Sequence, residues 1–151
     1  MKDKYPLEGL NTIKDNLLGG NATLTLESED TCKWFTYKIR TPKDGDSKGK
    51  VFWVSVLNGP DNVHSYSYIG SLINANNGIR FQITNGSKCG SDALSFKAFN
   101  FLTNQIAKSK LNSKLHVYHM GHCARCGRPL TTPESIQIGI GPVCLSISKK
   151  K

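Results

Sequence analysis

Three cysteines in the last fifth of this chain have the types and spacing of metal ligands. In YHMGHCARCGRPLTTPESIQIGIGPVC, residues 118–144, two residues separate Cys123 from Cys126, and a further 17 separate Cys126 from Cys144. Two cysteines so spaced, with Gly127 directly after them, form a tight knuckle in which backbone N–H groups can point at thiolates. The longer interval is enough for a short excursion that returns a third sulfur. Structural zinc takes four ligands, commonly four cysteines or three cysteines and a histidine, at about 2.3 Å for sulfur and about 2.0–2.1 Å for nitrogen. A histidine is therefore expected to complete the set. His119 lies four residues before Cys123, with Gly121 between them to bend the chain. It reaches an ion more easily than His122, whose side chain diverges from that of its neighbour Cys123 on extended backbone. The expected site is Zn2+ held by His119, Cys123, Cys126 and Cys144, while His116 and His64 are read as ordinary surface or packing residues.

The segment between the second and third cysteines supports an ordered module. Thr132 suits a helix N-cap and Pro133 the first helical position. In GIGPVC, Gly139 and Gly141 permit unusual backbone angles and Pro142 stiffens the approach to Cys144. A catalytic zinc keeps an open position and a neighbouring acid or base. Glu134 is the sole carboxylate of the module, and no H-x-E paired with P-C-x-x-C of a deaminase is present. Four protein ligands close the site, so the expected ion is structural. No nucleophile elbow, phosphate-binding glycine loop or dinucleotide fingerprint occurs. Cys32 and Cys89 have no partner motif. The chain is read as a non-enzyme.

Charge is unevenly spread over the 151 residues. Residues 1–107 carry 12 basic and 10 acidic side chains, whereas residues 108–151 carry 8 basic and 1 acidic. Most of the net charge of +9 thus belongs to the cysteine module and its flanks. Such asymmetry points to a polyanionic partner, and the expected contacts to DNA or RNA are Arg125, Arg128, Lys114, Lys149, Lys150 and Lys151. The alternative partner is a protein with an acidic patch. No apolar run approaches the roughly 20 residues of a membrane span, and MKDKYPLEGL lacks the apolar core of a secretory signal. A soluble protein of a reducing cytoplasm is expected, where clustered cysteines bind metal more often than they pair.

The elements that must position these residues read as α+β. Strand-like alternation or β-branched and aromatic content marks NATLTLES, KWFTYKIR, VFWVSVL, SYSYIGSLI and IRFQI, and LHVYH (Leu115–His119) delivers the chain to the first cysteine. Short polar turns between them, such as TPKDGDSKGK and NGPDN, imply a mainly antiparallel sheet of five to six strands. One helix over SDALSFKAFNFLTNQIAKSK, capped by Ser91, is expected to cover the sheet through Leu94, Ala98, Phe101 and Leu102, with Phe99 and Ile106 at the edge. Trp34, Lys38 and Arg40 share one strand face. With Tyr66 and Tyr68 they are candidates for a base-stacking platform. The expected organisation is an N-terminal arm at 1–20, an α+β domain at 21–118 and a zinc module with basic tail at 119–151.

From Cys123 to Cys144 the chain resembles, without a gap, the C-terminal pattern C-x-x-C-G-R-x-L-T-x-P-x-S-I-x-x-G-I-G-P-x-C of an uncharacterised family of small phage- and plasmid-encoded proteins, a domain of unknown function. The similarity extends upstream through GGNATLTL, WVSVLNGPDN and ALSFKAFNF. The resemblance implies a zinc-binding tail and a mobile-element origin, hence a bacterial host cytoplasm. Members often carry a histidine four before the first cysteine, which supports His119, and an arginine just before it, where this chain has His122. The resemblance implies no activity.

Overall fold

The computed structural model describes residues 5–30, 33–57, 65–76, 78–90, 92–110, 112–142 and 144. Seven strands form one antiparallel sheet: β1 (Tyr5–Leu7), β2 (Asn21–Ser28), β3 (Trp34–Arg40), β4 (Val51–Leu57), β5 (Tyr66–Ala75), β6 (Gly78–Gln82) and β7 (Leu115–His119). Their order across the sheet is β1-β7-β2-β3-β4-β5-β6. Among the described residues three named helices accompany them, α1 (Leu10–Leu17), α2 (Leu94–Ala107) and α3 (Pro133–Ile138). The α+β class and the mainly antiparallel sheet agree with the sequence reading.

The N-terminal residues differ from that reading. Instead of a loose arm, Tyr5–Leu7 pairs with β7, setting Tyr5 opposite His119 and Leu7 opposite Val117. A three-residue edge strand containing Pro6 carries almost no periodic signal, and proline is tolerated there because an edge has unpaired positions. In α1, Ile13, Asn16 and Leu17 are buried, the three-and-four spacing of one helix face.

Alternation divides the sheet into two faces. One carries Leu24, Leu26, Tyr37, Ile39, Phe52, Val54, Leu72 and Phe81, all buried, and α2 packs on it. The rings of Tyr37 and Phe99 lie 5.0 Å apart and those of Phe81 and Phe96 4.5 Å. Each such pair adds roughly 0.5–1.5 kcal/mol to the burial of its area. The buried stripe of α2 is Phe96, Phe99, Leu102, Thr103 and Ile106, rotated from the expected one. Phe96 and Phe99 seat their rings against Phe81 and Tyr37 in place of Leu94 and Phe101, and Thr103 is accommodated because its hydroxyl donates to Asn100 O at 2.8 Å. Leu94 and Phe101 remain exposed. Position Ser91 lies outside the described residues, and the N-cap of the helix is Ala93, with no side-chain cap.

The opposite face is polar and aromatic. Register aligns Lys38 with Ser55 and Arg40 with Trp53, and Ser55 in turn with Tyr68. Near its centre Thr25 and Thr36 share a buried hydroxyl–hydroxyl hydrogen bond of 2.8 Å. The cysteine-bearing tail belongs to the same core as the sheet: Cys123, Ala124, Ile140 and Cys144 join Leu7, Ile13 and Leu17 in one apolar cluster. No helix among the described residues is long and apolar enough to cross a membrane.

Candidate metal centre

Strand β7 ends at His119, and the chain then turns into the knuckle. Leu130 N donates to Gly121 O at 2.8 Å and Cys123 N to Arg128 O at 2.8 Å, closing a small loop around Cys123–Arg128. Within it Gly127 N donates to Cys123 O at 2.9 Å. Helix α3 follows as the sequence suggested, with the Thr132 hydroxyl accepting from Ser135 N and Pro133 in the first turn. Gly139 ends it in the left-handed conformation, at φ 73°. From there the backbone returns beside the knuckle: Ala124 N donates to Gly139 O at 3.0 Å, which leads the chain to Cys144.

The outcome is three sulfurs, those of Cys123, Cys126 and Cys144, within 4.8 Å of one another. Cys123 and Cys144 are buried and Cys126 is exposed. Amide N–H groups of Arg125 (3.4 Å) and Gly141 (3.3 Å) point at Cys123 Sγ. Burial disfavours the Cys123 thiolate, yet the amides of Gly141, Cys126 and Arg125 and the thiol of Cys126 together draw it down to about 7. Cys144 is pushed up to about 12 by burial, and by hydrogen bonding and charge from the other two cysteines. Three crowded sulfurs that cannot all ionise unaided form a donor set that a cation completes. The donors fit a thiophilic metal ion.

His119, expected as the fourth ligand, lies outside the group formed by the three sulfurs. Its side chain is buried on the core face of β7, stacked on Tyr5 at 5.2 Å between ring centroids. Both ring nitrogens are engaged: Nδ1 accepts from Gly121 N at 3.0 Å, and Nε2–H donates to Ile136 O at 2.5 Å. Burial lowers its pKa, with His122 adding to the effect and the Ile136 bond opposing it. In this arrangement the imidazole ties β7 to α3 through its two nitrogens. His122 is exposed and pairs its backbone with Pro129.

The knuckle is tied to the rest of the molecule by backbone. Asn21 N, at the start of β2, donates to Ala124 O at 2.7 Å. Gly19 lies so close that a Cβ there would stand 2.5 Å from the same carbonyl oxygen. This junction opens a polar cleft of about 1040 Å³ whose cationic lining is Arg40, Lys43, Lys48 and Arg125, with Asp15 as its acidic residue.

Of the residues expected to contact nucleic acid, Arg125 lines this cleft, and Arg128 is exposed on the knuckle. Lys114 stands at the far end of β7, ion-paired with Asp30 at 3.0 Å. Lys149, Lys150 and Lys151 lie outside the described residues, as do Cys32 and His64. Lys43 and Lys48 were missed. They sit in TPKDGDSKGK, which reads locally as a polar turn, and nothing in that stretch signals its approach to a knuckle some 80 residues on.

Residues 113–147 match the model of DUF6011, a family of unknown function. The matched span holds β7, the knuckle, α3 and all three clustered cysteines, and does not include the upstream stretches. No curated protein and no solved structure matches the chain.

Proposed function

We propose that this chain is a small, zinc-stabilised, non-enzymatic protein of a phage or other mobile element that binds nucleic acid through its C-terminal cysteine module. The observation that carries the reading is the placement of Arg125. It is held between two clustered cysteines and lines one cleft with Arg40, Lys43 and Lys48. Four cations against one carboxylate make a site for a polyanion, and phosphate contacts of this kind position a nucleic acid without reading its sequence. In this reading the metal has a structural part. It fixes the knuckle, and the knuckle fixes Arg125. Zinc is the ion of choice for a thiolate-rich set without redox chemistry, and its fourth ligand lies outside the described cluster.

A salt titration on labelled random-sequence DNA and RNA tests this. Affinity should fall linearly on a log–log plot, with a slope of about −2 to −4 for three to four neutralised phosphates. Absence of binding to either polymer at low salt overturns the reading and leaves a host protein with an acidic patch as the partner to seek.

A further inference from the structure

Arg40 links the cationic cleft to the polar face of the sheet. It lines the cleft, it donates to Ala22 O and, at 3.4 Å, to Thr23 Oγ1, and its cross-strand partner is Trp53. Side chains so paired leave the same face about 5 Å apart. Trp53 is 47 % exposed although it stands on a central strand of a seven-stranded sheet. A half-bare indole at the strand position paired with Arg40 sets an apolar plane on the same face as a cationic residue of the cleft. The base of the loop that carries the two lysines is tied down: Thr41 Oγ1 donates to Val51 O at 2.9 Å and accepts from Gly49 N at 2.8 Å, while Asn74 Nδ2 donates to Gly49 O at 3.1 Å. The β3–β4 loop is thereby pinned beside both strands. Its two carboxylates, Asp44 and Asp46, are not among the residues that line the cleft.

We infer that the bound polymer is single-stranded nucleic acid, with its phosphates along Arg40, Lys43, Lys48 and Arg125 and an unpaired base stacked on Trp53. The inference rests on the nucleic-acid reading above and narrows it. In a duplex the base faces are covered by their neighbours, so an indole on a sheet has nothing to stack on. In a single strand every base offers a face, and aromatic residues interleaved with cations are how such strands are held. Lys38, placed 4.2 Å from the centroid of the Tyr66 ring, extends the same mixture of charge and aromatic surface along the face.

The chain has two tryptophans, Trp34 and Trp53, which gives a direct probe. In full-length Trp34→Phe protein, Trp53 is the sole indole. Its fluorescence should be quenched on titration with oligothymidylate and oligouridylate, and not with a hairpin duplex at equal phosphate concentration. Trp53→Ala should weaken single-strand binding roughly tenfold or more, Trp53→Phe less, and Lys43→Glu with Lys48→Glu should weaken it through charge alone. Unchanged Trp53 emission with salt-sensitive binding intact, or duplex bound as tightly as single strand, overturns this inference and leaves the nucleic-acid reading standing. No binding by either polymer overturns both.

Discussion

Asn16 in α1 donates through Nδ2 to the carbonyl of Ile138 at 2.6 Å, joining residues 122 positions apart. The same group also donates to Thr12 O at 2.9 Å. Asn16 is buried, and Ile138 is the last residue of α3, just before the turn that carries the chain toward Cys144. A helix near the N-terminus thus holds the last carbonyl of α3 in place, doing part of what a capping residue does.

That contact gives the first prediction. Asn16→Ala leaves the Ile138 carbonyl unpaired in the interior and should cost about 1–3 kcal/mol in denaturant unfolding. Gly139→Ala should cost at least as much. Its backbone is left-handed, and a Cβ there would collide with Asn16 Oδ1. The double variant should be less destabilised than the sum of the two, because removing the amide relieves the clash. Strict additivity would show that the two residues do not meet.

His119 yields the second. If its nitrogens serve Gly121 and Ile136, His119→Gln keeps the metal stoichiometry and the cobalt(II) thiolate charge-transfer band of the parent, while losing about 1–3 kcal/mol of stability. Loss of the metal together with the band would return His119 to the ligand set.

Acidification is the third. Burial holds the His119 pKa below its ordinary value, so the unfolded chain binds the proton more readily than the folded one. The stability this contributes is fully present above the unfolded value of about 6.5 and is lost as pH falls through the lower, folded value. Thermal unfolding followed from pH 7.5 to 5 should show a downward slope that is shallower in His119→Gln. Thiolate protonation adds a second decline in both proteins, so the difference between them is the quantity to read. Parallel curves would contradict the buried neutral imidazole.

A fourth concerns which cations count. Arg125→Gln should lower the magnitude of the salt slope for single strands by about 0.7, one phosphate contact. Lys114→Gln should leave it unchanged, since Lys114 pairs with Asp30 away from the cleft. Equal effects of the two would mean that net charge rather than the cleft governs binding.

The strands and the knuckle were legible in the sequence because both are local. Alternation in NATLTLES or VFWVSVL is a two-residue period, and the cysteine spacing with Thr132 and Pro133 states its own geometry. What was hidden is non-local. Tyr5–Leu7 has no period to read and becomes a strand only because β7 offers an edge. His119 has the spacing of a ligand, yet it sits on the core face of a strand where Ile136 and Gly121 claim its nitrogens. The stripe of α2 turns by one step from the spacing of Leu94, Ala98 and Phe101, because Phe96 and Phe99 meet Phe81 and Tyr37 across the sheet, partners that the helix sequence does not announce. The cleft depends on Asn21 meeting Ala124, a backbone bond that no side-chain pattern announces.

Metal content measured by native mass spectrometry, on protein purified without chelator, tests the central claim most directly. The proposed reading predicts one zinc per chain, lost in Cys123→Ser and Cys144→Ser. Chelation should lower the melting temperature by about 10 °C, because the module shares its apolar cluster with Leu7, Ile13 and Leu17. A reduced, metal-free chain with the same melting temperature in the presence and absence of chelator would contradict it.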